Sequence, residues 1–290
     1  MEILNTAVAL QAQTEKWRRE GLRIGLVPTM GALHEGHLQL VRAAAQACDV
    51  VVVSIFVNPT QFNNPDDFRL YPRLPEDDAA LLGPAGCTAL FLPSVEAIYP
   101  QPTVLRFDFG ALERVMEGAH RPGHFNGVAT VVSKLFHLSR PHSAYFGQKD
   151  LQQVAIIQQL VADLSFDLEL VVFPTVREAD GLAMSSRNRR LDAASRAVAP
   201  HLYKALQLAE GLVQAQQIGP AAVQAAAEEF LRTEPSITLE YLEVVDALTL
   251  QPLTDWQSDR AVALCLAAHV GGVRLIDNVV VAPKGQDQMN

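Results

Sequence analysis

Pro28-Thr29-Met30-Gly31-Ala32-Leu33-His34-Glu35-Gly36-His37 separates two segments of opposite character. Before it, Arg23-Ile24-Gly25-Leu26-Val27 is an apolar run that reads as a short buried strand; after it, residues 38–47 are rich in Ala, Leu and Gln and read as a helix. A strand, a small-residue turn and a helix start set His34 and His37 near a helix N-terminus. Unpaired backbone N–H groups and the helix dipole favour phosphate there. Gly31 and Gly36 let the backbone bend and approach a ligand. A spacing of three puts both imidazoles on one face of the first turn. Taken alone, the decapeptide also fits a helix cap or half of a metal site. No helical His-Glu-x-x-His and no cysteine pair at ligand spacing completes such a metal site.

Working outward, residues 50–57 (Val-Val-Val-Val-Ser-Ile-Phe-Val) form a β-branched run of the kind found in central parallel strands buried on both faces. With the preceding strand and helix it makes a β-α-β unit. The run ends at Asn58-Pro59-Thr60-Gln61-Phe62, and the carboxyl ends of such strands are where open α/β sheets bind ligands. Residues 63–75 read as a loop, 76–82 as a helix starting after Pro75, 89–92 as a strand and 104–109 as a more exposed strand. A second glycine- and histidine-bearing loop spans 116–126. Helices are expected at 127–138 and 151–164, and strands at 143–146 and 168–173. Strand, loop and helix alternate as a Rossmann-like, doubly wound parallel sheet requires.

After Arg177 the texture changes. Residues 193–216 and 220–231 are Ala- and Gln-rich helical stretches, while 239–245, 260–270 and 274–280 read as strands separated by turns. The expected organisation is α/β: a first domain of residues 1–176 and a smaller α+β C-terminal domain of residues 177–290, with the boundary between Thr175 and Gly181. The polar tail is 284–290.

Composition narrows the function classes. With 49% hydrophobic and 19% charged residues the 290-residue chain is globular. A formal net charge of −9 counts against a general nucleic-acid binder but leaves room for a locally basic pocket. The three cysteines, Cys48, Cys87 and Cys265, lie far apart in apolar surroundings and read as small buried core residues. No basic n-region precedes an apolar stretch at the N-terminus, and no apolar run approaches membrane-spanning length. The expectation is a soluble, cytoplasmic protein with neither a membrane nor a nucleic acid as partner.

Two further segments suit anions. Gly147-Gln148-Lys149-Asp150 sits where a strand ends and a helix begins. Lys149 can set a point charge on phosphate, and Asp150 can cap the helix, hold a ribose hydroxyl or touch hydrated Mg²⁺; a plain turn glycine with a helix cap fits equally well. Gln152 and Gln153 follow, so at least one is expected to face the same crevice. In Asp180-Gly181-Leu182-Ala183-Met184-Ser185-Ser186-Arg187-Asn188, two hydroxyls, their N–H groups and an arginine can surround a polyphosphate, with Gly181 as a hinge. A solvated interdomain linker is the other reading of that segment.

Met30-Gly-Ala-Leu-His-Glu-Gly-His37 resembles the HIGH signature of the nucleotidyltransferase superfamily, in the form His34-x-Gly-His37. Met184-Ser-Ser-Arg187 resembles the partner lid motif that class I aminoacyl-tRNA synthetases write as Lys-Met-Ser-Lys-Ser, with Ala183 in place of the first lysine. The full set resembles one family closely, the pantoate–β-alanine ligases (pantothenate synthetases). Its blocks here are residues 28–37, Ser54-Ile-Phe-Val-Asn-Pro-Thr-Gln-Phe62, Arg121-Pro-Gly-His-Phe125, Phe146-Gly-Gln-Lys-Asp150, residues 180–188 and Leu275-Ile-Asp-Asn278.

The resemblance implies an AMP-forming ligase that condenses (R)-pantoate with β-alanine through a pantoyl adenylate, releasing pyrophosphate. It implies ATP contacts from Met30, Gly31, Ala32, Leu33, His34, Glu35, Gly36, His37, Gly147, Gln148, Lys149, Asp150, Val176, Met184, Ser185, Ser186 and Arg187. Catalytic roles fall to His34, His37, Lys149 and Arg187, with His37 as the acid. Gln61 and Gln153 match the pantoate-binding positions, and Met30, Val57 and Phe62 can pack its gem-dimethyl group. Mg²⁺ is expected to arrive on the ATP phosphates with no direct protein ligand, its water shell touched by Asp150 or else by Asp77 or Asp78. The resemblance also implies a homodimer. His120 and His124 sit in a matching loop with no role assigned. A tRNA synthetase is disfavoured by the acidic balance and the missing length, and an ATP sensor by the joint presence of His34, His37, Lys149 and Arg187.

Overall fold

Six parallel strands in the order β1-β4-β3-β2-β5-β6 make the larger sheet of the computed structural model, which describes residues 1–256 and 259–283. The chain divides into two compact units. One holds Met1–Glu113, Glu117–Gln148 and Gln153–Pro174; the other holds Arg114–Met116, Lys149–Gln152 and the chain from Thr175 onward.

In the first unit the elements run β1 (Glu2–Leu4), α1 (Ala7–Arg19), β2 (Ile24–Thr29), α2 (Glu35–Ala47), β3 (Val50–Ile55), α3 (Pro65–Leu70), α4 (Pro75–Leu82), β4 (Ala89–Phe91), α5 (Val95–Ile98), α6 (Met116–His120), α7 (His124–Ser139), β5 (Ser143–Gly147), α8 (Leu151–Asp163) and β6 (Glu169–Phe173). The first residue of α6 and the first two of α8 belong to the second unit. Side chains alternate across the sheet as the strand period demands. Ile24, Leu26, Val50, Val52, Phe91 and Phe146 face α1, α7 and α8, where they meet Leu10, Trp17, Val132 and Ile157. Val27, Val51, Val53, Leu90 and Tyr145 face the other way, toward Leu38, Val41, Ala44 and Leu82 of α2 and α4. Covering both faces is what makes 50–55 an almost continuous apolar run, broken only by buried Ser54, and each such apolar side chain contributes roughly 1.5–3 kcal/mol by leaving water.

The strand order fixes the switch point of the sheet, the kind of place where open α/β sheets bind ligands. From β2 the chain proceeds outward to β3 and β4 on one side, then returns to lay β5 on the other side of β2. The order reverses between β2 and β5, and the loops beyond their carboxyl ends are residues 30–34 and the turn after Gly147.

The second unit carries α9 (Ala193–Val198), α10 (His201–Ala215), α11 (Pro220–Arg232), β7 (Ile237–Asp246), β8 (Val262–Val270) and β9 (Val273–Val281). Its three strands pair antiparallel in the order β7-β8-β9, and Leu202, Leu206, Val213, Val223 and Leu231 pack against Leu242, Leu264 and Leu266. Gly271 and Gly272, at φ 56° and 75°, close the two-residue turn between β8 and β9; positive φ at both positions suits the twist of a tight hairpin.

Several expectations need correction. Residues 104–109 form no strand, although Phe107 and Phe109 do pack on the core. The stretch 63–75 is not all loop: Asn64 caps Asp66 N–H at 2.8 Å and Pro65 opens α3. The 116–126 loop contains α6, and α7 begins at His124, three residues before the expected start. One helix over 193–216 is two, because α9 ends at Val198 and α10 begins after Pro200, which has no N–H to continue the ladder. Cys48 is only half-buried, with Sγ 3.2 Å from Ser143 Oγ; Cys87 and Cys265 are buried, and all three are free thiols. The tail 284–290 lies outside the described residues.

Candidate active site

In the first unit, His34 is the N-cap of α2, with extended backbone at φ −140° and ψ 174°. The helix therefore starts at Glu35, and His37 is its third residue. The two rings lie 4.1 Å apart between centroids, tilted by 39°. His34 N–H donates to His37 Nδ1 at 3.4 Å. A donor facing Nδ1 requires a lone pair there, so the neutral ring carries its proton on Nε2. His37 is thereby set up as a donor at the helix N-terminus.

The loop before it owes its shape to a distant carboxylate. Gly31 and Ala32 both have positive φ, at 81° and 50°. The N–H groups of Ala32 and Leu33 point into α4. Asp78 accepts from Ala32 N–H at 2.8 Å and from Leu33 N–H at 2.7 Å, and is only 2% exposed. A Cβ at position 31 would stand 2.9 Å from both Asp78 Oδ2 and Ile55 Cγ2, so glycine is required there for space as well as for φ.

Beyond β3, the Gln61 amide is oriented by its neighbours. Asn58 Nδ2 donates to Gln61 Oε1 at 3.0 Å and to Gly127 O at 3.1 Å, while Tyr99 O–H donates to Asn58 Oδ1 at 2.8 Å. The Gln61 oxygen is occupied, and its NH₂ points at Met30 Sδ, 3.3 Å away. Burial raises the Tyr99 hydroxyl above its usual pKa, which keeps that donor protonated. The Gln61 carbonyl is held as well: His124 Nδ1 lies 2.8 Å from it, and His124 Nε2 lies 3.3 Å from an Arg121 N–H. A carbonyl can only accept and a guanidinium can only donate, so His124 is the neutral Nδ1–H tautomer. Arg121 is anchored in turn by buried Glu117 at 3.3 Å. Gly147, at the end of β5, has open space where a side chain would stand. Gln153 is half-buried.

The second unit contains the remaining sequence-expected residues. Lys149 Nζ lies 3.8 Å from Asp150 Oδ1, and the Lys149 carbonyl accepts from Asn278 Nδ2 of β9 at 2.8 Å. Gln152 is buried, with its amide donating to Val115 O at 2.9 Å. Residues 176–184 are a small hairpin: Met184 N–H bonds Val176 O at 2.9 Å, Arg177 bridges Ala183, and Glu178 N–H bonds Leu182 O at 2.8 Å. This excludes the solvated-linker reading of that segment. Arg177 makes two bonds to Asp277, at 2.6 and 3.0 Å, another to Gly181 O at 3.1 Å, and stacks 3.6 Å over the Tyr203 ring. Burial pushes the Asp277 carboxyl up, while Arg177 beside it pulls the other way. Arg196 clamps the outside of the hairpin at 2.6 Å to both Glu178 and Asp180. Ser185 caps the turn that follows, its hydroxyl accepting from Arg187 N–H at 3.2 Å, and Ser186 is buried.

Sequence reading missed Asn58, Tyr99, Arg177 and the clasp from Asp78. Asn58 was visible as the first polar residue after the strand run. Arg177 gave no local signal, because its carboxylate partner lies 100 positions away.

Comparison with known proteins decides the family. The chain matches the Pantoate-beta-alanine ligase family over residues 2–280. The chain belongs to the pantoate–β-alanine ligase family. It is 50% identical to a pantothenate synthetase of Cytophaga hutchinsonii, over 91% of this chain and 93% of that one. It is 49% identical to one from Moorella thermoacetica, over 97% and 99%. Among solved structures, the pantothenate synthetase of Thermus thermophilus superposes with a TM-score of 0.90 at 44% identity, covering 98% of this chain and all of that one. A Francisella tularensis pantoate–β-alanine ligase, solved in complex with β,γ-ATP and β-alanine, gives a TM-score of 0.79 at 35% identity over 97% of both chains. As a member of this family the chain is a ligase. Among the described residues, no helix is long and apolar enough to cross a membrane.

Proposed function

We propose that this ligase condenses (R)-pantoate with β-alanine using ATP, through an enzyme-bound pantoyl adenylate. The observation that carries the reading is the His34–His37 pair at the start of α2, where the strand order reverses. A pantoate carboxylate oxygen attacks the α-phosphorus, and the bond from that phosphorus to the α,β-bridging oxygen breaks to release pyrophosphate. The β-alanine amine then attacks the acyl carbon and AMP departs. Neither step needs a protein nucleophile; both need alignment and charge stabilisation.

In this reading His37 donates its Nε2 proton toward the phosphate oxygens, aided by His34 and the first-turn N–H groups of α2. Lys149, Arg187, Ser185 and Ser186 hold the β- and γ-phosphates and the leaving pyrophosphate. Gly147, Gln148, Asp150, Val176 and Met184 line the nucleotide. Gln61 offers pantoate an N–H donor, since Asn58 occupies its oxygen, and Gln153 serves the same substrate. Residues 1–176 act as the nucleotide- and pantoate-binding domain and 177–290 as the lid, in the cytoplasm. Mg²⁺ enters as part of the ATP substrate. The ligase works as a homodimer.

The test is AMP formation from ATP with pantoate, with and without β-alanine. AMP in quantity only with all three substrates, together with pantothenate as product, is expected. ATP binding without turnover would replace the reading by a sensor, and turnover with another carboxylate or amine would replace the substrates.

A further inference from the structure

We infer that Asp78 is a positioning residue for the reaction: its carboxylate clasps the backbone of the Ala32–Leu33 turn and thereby sets His34 and His37. The inference rests on reading that pair as the phosphate-facing groups. It assigns Asp78 to the backbone and not to the water shell of a metal.

Three observations converge on it. First, both carboxylate oxygens are used, one on each of two successive N–H groups, at 2.8 and 2.7 Å. Two such charge-assisted bonds are stronger than neutral ones and fix direction as well as distance. Second, the turn they hold is one that the chain resists. Ala32 sits at φ 50°, a left-handed conformation that costs a non-glycine residue of the order of 1–3 kcal/mol and persists only where the surroundings impose it. The His34 N-cap follows two residues later, so any relaxation at Ala32 is transmitted to both imidazoles. Third, Asp78 is 2% exposed, and no cation pairs with it among the described residues. A carboxylate buried that deeply is retained at a desolvation cost, which the two N–H groups and its place near the N-terminus of α4 offset.

The same geometry changes the phosphate site. The N–H groups of Ala32 and Leu33 are turned away to Asp78, so anion binding in this loop falls to the imidazoles and the first turn of α2.

Asp78→Asn is the sharpest test. The amide keeps one acceptor but turns its NH₂ against the second backbone donor, with almost no change in volume. Asp78→Ala removes both acceptors, and Glu76→Gln, on the exposed side of the same first turn, controls for lost helix-end charge. Amide hydrogen exchange at Ala32 and Leu33 is read without substrates. Pantoate-dependent pyrophosphate release is read at a temperature well below each variant's melting point. Exchange at the two amides is expected to speed up. The kcat should fall on the order of tenfold to a hundredfold in Asp78→Asn and further in Asp78→Ala, as displacements of up to about 1 Å at a reacting centre produce. The KM for β-alanine and the Mg²⁺ concentration for half-maximal rate should not change, nor should anything in Glu76→Gln.

A wild-type kcat in folded Asp78→Asn would reduce the clasp to fold maintenance and overturn the proposal. A raised Mg²⁺ requirement with the rate restored at saturation would assign Asp78 to the metal instead. If Asp78→Ala fails to fold, the near-isosteric Asp78→Asn decides alone. If the wild type turns over no pantoate, the proposed function fails, while faster exchange at Ala32 and Leu33 still establishes the clasp.

Discussion

Gly127→Ala should cost both stability and pantoate binding. Gly127 lies in the first turn of α7, against the turn that carries Gln61. A methyl group there would meet Thr60 C at 2.6 Å and Gln61 N at 2.7 Å, with Thr60 O closer still. Ordinary contact begins at 3.4 Å, so the Thr60 carbonyl carbon must retreat by about 0.8 Å, the difference between 3.4 and 2.6 Å. All three obstructing atoms are backbone, and no rotamer change relieves them. Overpacking of this kind costs roughly 1–3 kcal/mol. It outweighs the roughly 1 kcal/mol that alanine gains over glycine within a helix. The displaced turn also carries Asn58, whose amide bridges Gln61 Oε1 and Gly127 O, so the Gln61 NH₂ loses its aim. Denaturant unfolding should show a net loss of up to about 2 kcal/mol. Steady-state kinetics should show the KM for pantoate rising on the order of tenfold with that for ATP little changed. A variant as stable as the wild type with an unaltered pantoate KM would refute the close-packing argument.

His37→Ala should slow pantoate-dependent pyrophosphate release on the order of 10²–10⁴-fold with an unchanged circular dichroism spectrum; an unaltered rate would remove it from the mechanism. Arg177→Met strands Asp277 in a buried site and should cost about 3–5 kcal/mol of unfolding free energy, most of it regained in Arg177→Met/Asp277→Leu; a loss below about 1 kcal/mol would contradict the buried pairing. Stability should fall as pH drops below about 6.5, the usual imidazole value, because His142 is held below it by burial and by the positive charges of Arg18 and Arg23. Its Nδ1 accepts from Ile24 N–H at 2.9 Å, so the unfolded chain takes up the proton first and the stabilisation disappears as pH passes through the folded value. In His142→Asn, which keeps an acceptor without a titration, melting temperatures between pH 7.5 and 5.5 should vary less than in the wild type; an equal slope would clear His142.

The elements that could be read in the sequence were those whose signal is local. The Val50–Ile55 run announces a doubly covered strand because both of its faces are buried, and the glycines of the signature loop announce their turn. Residues 104–109 show why alternation is a weaker guide: Phe107 and Phe109 do turn inward, yet Phe107 N–H bonds the Asn126 side chain at 2.9 Å and not a neighbouring strand. Periodicity reports which side chains face the core and is silent on what pairs with the backbone. Prolines misled in both directions. Pro65 opens a helix inside a segment read as loop, while Pro200 interrupts one read as continuous. His34, His37, Gln61 and Lys149 were singled out in the sequence by their place in motifs that resemble the family's blocks. The groups that orient them were not, because Asp78, His124 and Asn278 act across 45, 63 and 129 positions. Long-range partners of this kind follow from the strand order, which no local pattern encodes.

The hydrogen bond from Asn278 to the Lys149 carbonyl also has a consequence in time. A ribosome adding about 5–20 residues each second needs roughly 6–26 s to travel the 129 positions between them. Throughout that interval the nascent chain carries β2, β3 and β5 complete, with the lysine loop still lacking its anchor. The carbonyl of Lys149 is therefore tethered only when β9 has been made. Nascent chains stalled before β9 would carry most of the ligase sequence, with Lys149 free of the strand that finally restrains it.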